Sequence, residues 1–189
     1  VDAYMRIQPE RADDAAFLHR SGFQGTIEFK NVSFTYPGQQ HAVLNRVSFK
    51  IHAGEKVAFI GRVGSGKSTI QRLILGLYQP NEGAILIDGI DSRQIDPAEL
   101  RRAAGFVSQD VNLFYGTLKE NIALGAPFAD DQDIIAAAEI AGVTEFANRH
   151  PRGFDMPIGE RGDSLSGGQR QAVGIARAVL NASPMLLLD

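Results

Sequence analysis

Apolar residues in the first part of the chain alternate with polar ones, which is typical of half-buried strands. The alternation changes parity close to Asn31, which indicates either a bulge or a pair of strands there. Apolar positions of one parity come before Asn31 and those of the other parity follow it: Ile27 and Phe29, then Val32, Phe34 and Tyr36. A second alternation through Val47, Phe49 and Ile51 predicts another strand.

Other short apolar runs predict strands that are buried on both faces. The runs Val57–Ile60 and Phe106–Val107 are of this kind, and Met185–Leu188 predicts a final buried strand. The run Ala84–Ile87 is followed by Asp88-Gly89, a dipeptide that favours a hairpin turn.

The pattern becomes helical between about residues 112 and 181. Thr117 and Glu120 have the spacing of a capping box, and Asp130 or Asp131 can cap a helix that carries Ile134. Apolar residues at helical spacing predict a last helix before Pro184: Val173, Ala176, Val179 and Leu180.

Composition narrows the class of protein. The 189 residues are 44% hydrophobic and 22% charged, as in a globular domain with a real core. The chain has no cysteine, which excludes disulfides, thiolate zinc sites and cysteine nucleophiles. A net charge of -3 argues against nucleic acid as a partner, although a local basic patch stays possible. The longest apolar run, Ile134–Ala138, is far shorter than the roughly 20 residues of a membrane span, so we expect none here.

A glycine-rich stretch follows the predicted strand 57–60 and precedes a helical run. It satisfies the Gly-four-residues-Gly-Lys-Ser pattern from Gly61 to Ser68. Glycines let successive backbone N–H groups turn around phosphate oxygens, and the helix aims its positive end at the same point. Lys67 can then reach the β- and γ-phosphates while the Ser68 hydroxyl ligates Mg²⁺. We therefore expect ATP and Mg²⁺ as cofactors, held by the loop residues Gly61, Arg62, Val63, Gly64, Ser65, Gly66, Lys67, Ser68 and Thr69.

A second glycine motif lies at the start of the last predicted helix. Its residues are Leu165, Ser166, Gly167, Gly168 and Gln169, with Ser166 as a plausible N-cap. Taken alone, the motif could be a helix start. Together with the phosphate loop, it makes the chain from about Gly25 to Asp189 resemble the nucleotide-binding domain of ATP-binding-cassette (ABC) transporters.

The resemblance implies roles for residues whose local sequence says little. Tyr36 matches the aromatic residue that stacks on adenine, where the alternative is an ordinary strand-end tyrosine. Gln109 matches the glutamine that meets Mg²⁺ and the attacking water, and Asp189 matches the strand-end carboxylate of the magnesium shell. Lys67, Gln109 and Asp189 are therefore the expected catalytic residues, and Ser68, Gln109 and Asp189 the expected magnesium ligands. The loop 159–162 resembles a charged loop of exporters, and its alternative is a solvated turn.

The resemblance also implies a fold and a domain order. We expect an α/β, RecA-like P-loop NTPase core with an antiparallel β-subdomain over about 25–56 and a helical subdomain over 112–170. Residues 1–24 are expected to be a linker from a preceding membrane domain, and 25–189 the nucleotide-binding domain. In the family, two such domains form a head-to-tail homodimer in which the second glycine motif of one covers the γ-phosphate held by the other.

The family places a catalytic glutamate directly after the position of Asp189 and a switch histidine further on. Both positions lie beyond the 189 residues. The resemblance therefore implies that the sequence is part of a longer polypeptide and that by itself it hydrolyses ATP weakly or not at all.

Several stretches narrow the resemblance to bacterial type I secretion ATPases of the inner membrane, with the ATPase on the cytoplasmic face. They are 61–64, 90–97, 110–117 and 150–155. Such an exporter would work with its own transmembrane domain, a periplasmic adaptor and an outer-membrane channel. Three alternatives stay open: an exporter of lipid, peptide or drug, a soluble ABC ATPase, and a nucleotide-gated dimerisation module without turnover.

Overall fold

The computed structural model describes residues 17–20 and 22–189. Most of the predicted linker 1–24 thus lies outside the described residues, and the predicted domain bounds stay predictions. The chain divides into two compact units, one reaching to Ala103 and the other spanning Ala104–Asp189.

The first unit contains a four-stranded antiparallel sheet. Its strands are β1 (Ile27–Phe34), β2 (Leu44–Ile51), β3 (Glu82–Ile87) and β4 (Ile90–Asp91), in the order β2-β1-β3-β4. Strands β3 and β4 form the expected hairpin, and Asp88 and Gly89 both have positive φ in its turn (50° and 84°).

The predicted bulge in β1 is confirmed. Phe29 pairs with Phe49 and Val32 pairs with Val47, so β1 has one more residue than β2 between these pairs. Asn31 lies in the bulge with a φ of 48°. The extra residue changes the parity of the strand, and as a result four of its apolar side chains are buried together: Ile27, Phe29, Val32 and Phe34.

Two α-helices follow in the first unit. Helix α1 (Lys67–Ile74) buries Ile70, Leu73 and Ile74. Helix α2 (Pro97–Arg102) begins at Pro97 and is capped by Asp96, whose carboxylate accepts from Ala98 N at 2.8 Å. The short segment 17–20 is held against this unit, because Leu18 N donates to Gln94 O at 2.8 Å.

The prediction of a buried strand at 57–60 is wrong for this structure. Residues 57–60 belong to no strand, and the side chains of Val57 and Ile60 are exposed (45% and 97%). An apolar run becomes a buried parallel strand only where neighbouring strands satisfy its backbone. Within the described residues, no strand pairs with this segment.

The second unit is mainly helical. Its helices are α3 (Leu118–Ala123), α4 (Asp131–Ile140), α5 (Val143–Ala147) and α6 (Gly167–Leu180), with 3-10 turns at Gly153–Asp155 and Glu160–Gly162. The predicted caps are confirmed: Thr117 and Glu120 form a capping box, and Asp130 Oδ1 accepts from Asp133 N at 2.9 Å.

Two small sheets complete the second unit. Strands β5 (Ala104–Val107) and β8 (Met185–Leu188) are parallel, and β6 (Gly116–Thr117) pairs antiparallel with β7 (Pro157–Ile158). The predicted strand at Met185–Leu188 is confirmed, but not its full burial. Met185 is buried, whereas Leu186 and Leu188 are about half exposed, because β8 pairs on one edge only within the described residues.

Helix α6 is the centre of the second unit's core. Its residues Val173 and Ala176 are buried among apolar side chains of the other helices, including Leu118, Ile122 and Ile134. Gly174 lets the helix approach the segment after β5 closely, since a Cβ at this position would lie 2.8 Å from a methyl carbon of Val111. Among the described residues, no helix is both long and apolar enough to span a bilayer.

Candidate nucleotide site

The phosphate loop runs into helix α1 through two glycines in the left-handed region. Gly64 has a φ of 81°, and Gly66, the N-cap residue of α1, has a φ of 93°. These conformations favour glycine. The first N–H groups of α1 have no partner within the helix and carry the positive end of its dipole, so the turn is suited to phosphate oxygens.

A side chain at two of the glycine positions would meet neighbouring side chains. A Cβ at Gly66 would lie 2.8 Å from Leu44 Cδ2, and a Cβ at Gly61 would lie 2.6 Å from Ser65 Oγ. At Gly61 the Ser65 hydroxyl would have to turn away, whereas at Gly66 the close contact with Leu44 adds to a φ of 93°. Gly66 is therefore favoured by the loop's own conformation and packing as well as by any ligand.

Lys67 closes the loop. Its Nζ donates to the carbonyl oxygens of Gly61 (3.0 Å) and Arg62 (2.9 Å), at the beginning of the motif. The ammonium group thus lies within the bend that the backbone makes. Val63, by contrast, is fully exposed at the tip of the loop.

A cleft of about 260 Å³ opens beside the loop in the first unit. It brings together six of the residues predicted from sequence: Tyr36, Gly64, Gly66, Lys67, Ser68 and Thr69. Three further residues line it, Gln39, Val43 and Arg72. None of these nine residues is acidic, and two of them, Lys67 and Arg72, are cationic, so the cleft favours an anion.

Arg72 is a cleft residue that the sequence analysis missed. It lies one turn after Thr69 on α1, and its Nη1 donates to the Tyr36 hydroxyl at 3.0 Å. The available signal was a basic residue three positions after Thr69 on the predicted helix. That signal did not reveal the contact, because Tyr36 is more than thirty residues away along the chain.

The second glycine motif is built as a helix start. Ser166 caps α6 by accepting from Gln169 N at 3.2 Å, and Gln169 Oε1 accepts from Ser166 N at 2.8 Å. Leu165 is buried, and its carbonyl accepts from Arg170 Nη1 at 2.7 Å. Gly167 and Gly168 lie in the first turn, which leaves the amide-rich end of α6 accessible.

Gln109 lines a second cleft, of about 370 Å³, within the second unit. The same cleft is lined by Gly167 at the start of α6 and by charged residues of the 3-10 turn region, Arg161 and Asp163. The structure therefore brings the residue predicted to meet Mg²⁺ near the second glycine motif. Arg161 has a φ of 57°, an uncommon conformation for a residue other than glycine, in the charged loop that resembles that of exporters.

Asp189 directly follows β8. Its backbone N donates to Val107 O at 3.0 Å, which continues the pairing of β5 and β8 up to this residue. The aspartate is therefore held at the carboxyl end of a parallel strand, the usual place for catalytic groups in α/β proteins.

Arg177 connects helix α6 with the segment that follows Gln109. Its Nε donates to Asn121 O at 2.9 Å and its Nη1 to Asn112 O at 3.3 Å. Burial lowers the pKa of the Arg177 guanidinium, because removal from water disfavours the charged form. Arginine stays protonated at neutral pH in spite of this shift, so the contact is a charged one.

The residues of the first cleft fit a nucleoside triphosphate with magnesium. The curled glycine turn, the Lys67 ammonium and the start of α1 would offer donors to phosphate oxygens, and the Ser68 hydroxyl would be the protein ligand to Mg²⁺. The described residues contain no group of three or more His, Cys, Asp or Glu side chains arranged to hold a metal. Mg²⁺ does not require such a group when phosphates provide part of its coordination shell.

A family model described as "ABC transporter" matches residues 44–189. The chain belongs to the ABC transporter family. The match covers the phosphate loop and the second glycine motif, so the α/β, P-loop NTPase fold and the class of ABC ATPase domain predicted from sequence are confirmed.

Curated relatives extend the comparison over nearly the whole chain. The ATP-dependent lipid A-core flippase of Haemophilus influenzae (strain 86-028NP) is 45% identical over 188 residues, covering 99% of this chain and 32% of the flippase. The mitochondrial ATP-binding cassette sub-family B member 10 of Mus musculus is 44% identical over 181 residues, covering 94% of this chain and 25% of the mouse protein.

A solved structure agrees with these relatives. The structure of a bacterial Atm1-family ABC exporter with ATP bound superposes with a TM-score of 0.89 and 40% identity, covering 98% of this chain and 32% of the exporter. This chain spans about a third of the length of the bacterial relatives it matches.

The comparisons change the expected subfamily. The names of these three proteins refer to lipid A-core flipping, to the cassette sub-family B and to Atm1-type export, and none of them refers to protein secretion. The type I secretion assignment, with its periplasmic adaptor and outer-membrane channel, is therefore not supported. The lipid alternative agrees better with the relatives.

Proposed function

We propose that the chain binds MgATP in the cleft beside the phosphate loop and that the full polypeptide uses the nucleotide for export across a membrane. The observation that carries the proposal is the cationic, glycine-built turn at the start of α1, in which Lys67 Nζ lies within hydrogen-bond distance of the first loop carbonyls. Relatives that are 44–45% identical over nearly the whole chain support the step from binding to transport.

The proposed roles follow the chemistry of each residue. Lys67 neutralises the β- and γ-phosphates, Ser68 contributes a ligand to Mg²⁺, and Tyr36 provides an aromatic wall for the adenine. Gln109 and Asp189 are proposed as the polar residues on the magnesium side. Bound Mg²⁺ would neutralise charge on the phosphates.

We propose a head-to-tail dimer as the working form. The capped, amide-rich start of α6 offers donors to an anion, and the γ-phosphate of a nucleotide held by a second copy is an anion of the required kind. ATP would then be part of the interface, and hydrolysis would weaken it. The transmembrane domain is proposed to lie in the same polypeptide, with the ATPase domain on the cytoplasmic face of the bacterial inner membrane.

For the substrate, we propose a lipid or another amphiphile rather than a polypeptide. The support is the similarity to the lipid A-core flippase of Haemophilus influenzae, which is 45% identical to this chain over 188 residues.

The test is ATPase activity of the full polypeptide reconstituted in lipid vesicles. We expect Mg²⁺-dependent turnover that Lys67→Ala abolishes and that lipid A stimulates in the wild-type protein. Turnover that an unfolded secretion substrate stimulates and lipid A leaves unchanged would contradict the lipid proposal. Lack of ATP binding by the wild-type protein would contradict the nucleotide site itself.

A further inference from the structure

The hydroxyl of Tyr36 is fixed by two residues of helix α1. It accepts a hydrogen bond from Arg72 Nη1 at 3.0 Å, and it lies 3.0 Å from Thr69 Oγ1. A guanidinium group can only donate, so the phenol proton is available for the threonine oxygen. Thr69 is buried, and its hydroxyl therefore provides a partner with little freedom to move.

The ring of Tyr36 is fixed as well. Phe34 packs against it at 4.9 Å with an angle of 81° between the rings, and Tyr78 does so at 5.1 Å and 90°. Edge-to-face contacts of this kind stabilise one ring orientation over others. Tyr36 is thus held at its ring and at its hydroxyl, and both sets of contacts lie within the first unit.

Arg72 lines the cleft from outside the phosphate-binding motif. It lies in the last turn of α1, whereas the phosphate loop ends at the first turn. Its guanidinium carbon is 5.9 Å from the centre of the Tyr36 ring. The arginine thus lines the same cleft as Lys67, but its described contacts are with the aromatic wall.

We infer that Arg72 is a positioning residue for the nucleotide base, acting through Tyr36. By holding the hydroxyl, Arg72 fixes the ring in one orientation before the nucleotide arrives, so that binding does not cost the entropy of ordering the side chain. The ligand class affected most is that of nucleotides with a stacking base, whereas base-free polyphosphates lose only the attraction of the Arg72 charge. The inference rests on the proposed function, because it refines the base-binding side of the same cleft.

The experiment compares two ligands and four variants of the full polypeptide. Affinities for ATP and for inorganic tripolyphosphate, both with Mg²⁺, are measured by calorimetry for Arg72→Met, Arg72→Lys, Tyr36→Phe and the double variant Arg72→Met/Tyr36→Phe. Lys50→Met serves as the control, because it also removes one positive charge from an exposed position of the first unit. Thermal unfolding of each variant reports whether it is folded.

We expect Arg72→Met to weaken ATP binding roughly threefold to tenfold, the range for one lost hydrogen bond. Tripolyphosphate affinity should fall less than ATP affinity, because that ligand loses only the charge of Arg72 in the cleft and no base contact. Arg72→Lys should recover part of the ATP affinity. Tyr36→Phe should weaken ATP binding at least as much as Arg72→Met, because it also removes the contact with Thr69. The double variant should bind ATP no worse than Tyr36→Phe, because the Arg72 contact is already lost in that variant. Lys50→Met should bind both ligands as the wild type does.

Three results would overturn the inference. Equal weakening of ATP and tripolyphosphate by Arg72→Met would show that the arginine acts on the phosphates. Additive losses in the double variant would show that it acts independently of Tyr36, and unchanged ATP affinity would show that it does not act at all. Failure of the wild-type protein to bind either ligand would instead contradict the proposed function, so the two failures are distinguishable.

Discussion

The side chain of Asn121 forms a closed pair of hydrogen bonds with the backbone of Phe114. Its Oδ1 accepts from Phe114 N at 2.8 Å, and its Nδ2 donates to Phe114 O at 2.8 Å. A third bond runs from Nδ2 to Thr117 O at 3.0 Å. Because Asn121 is 2% exposed, the loop before α3 is anchored to the core of the second unit by one buried amide.

This anchor predicts a large loss of stability on substitution. Asn121→Ala should lower the free energy of unfolding by roughly 2 to 4 kcal/mol, because it removes three part-buried hydrogen bonds together. Asn121→Asp should be at least as damaging, since a carboxylate would face the carbonyl oxygens of Phe114 and Thr117. Chemical denaturation measures both values. Asn148→Ala, at an exposed helix end, is the control and should change stability by less than about 0.5 kcal/mol.

A substitution at Gly66 should distort the phosphate loop. Gly66→Ala combines an unfavourable φ of 93° with a Cβ only 2.8 Å from Leu44 Cδ2. Gly38→Ala is the matched control, since Gly38 also has a positive φ (79°) but a Cβ there would contact nothing within 4 Å. We expect Gly38→Ala to cost about 1 kcal/mol from backbone strain and Gly66→Ala clearly more. Equal shifts in thermal unfolding would contradict a packing role for Gly66.

The two capping boxes allow stability to be separated from function. Ser166→Ala and Thr117→Ala each remove an N-cap, and each should cost about 1 kcal/mol of stability. Only Ser166 lies in the motif proposed to cover a second copy's nucleotide. Sedimentation of the full polypeptide with Mg²⁺ and a non-hydrolysable ATP analogue should show weaker association for Ser166→Ala alone. The same loss in Thr117→Ala would mean that the effect is one of stability.

The ion pair between Asp91 and Arg93 predicts a small dependence on pH. The hydrogen bond from the Arg93 side chain holds the pKa of Asp91 below its ordinary value of 3.8. The pair therefore contributes stability above about pH 4, and this contribution is lost as the pH falls through the lowered pKa. Arg93 is about half exposed, so the contribution is less than about 1 kcal/mol. Wild type and Asp91→Asn should differ in unfolding free energy at neutral pH and converge near pH 2. A difference that persists in acid would contradict this assignment.

Local signals in the sequence predicted much of the fold correctly. The parity change at Asn31, the hairpin turn at Asp88 and the caps at Thr117 and Ser166 each depend on residues close together in the chain, and all four are present in the structure. The segment 57–60 was predicted wrongly because the burial of a strand depends on its neighbours, which the run itself does not specify. Exposure of Leu186 has the same cause.

The nucleotide cleft likewise has one part that could be predicted from local sequence and another that could not. The phosphate loop could be predicted because its glycines, its lysine and the start of its helix are contiguous, and their spacing alone defines the turn. Arg72 could not, because its role depends on a contact between α1 and the end of β1, separated by more than thirty residues. Tyr36 came from the resemblance alone, and its packing against Phe34 and Tyr78 emerged only in three dimensions.

The extra residue in β1 bears on how insertions and deletions can be tolerated in this sheet. A chain lacking Asn31 would keep its composition almost intact, yet one half of β1 would expose its apolar side chains to water. In a relative without the bulge, side chains that follow this position can therefore have the same residue types as here and yet lie on the opposite face of the sheet. An alignment that omits the gap here would assign the residues from that point to the strand's end to the wrong face of the sheet.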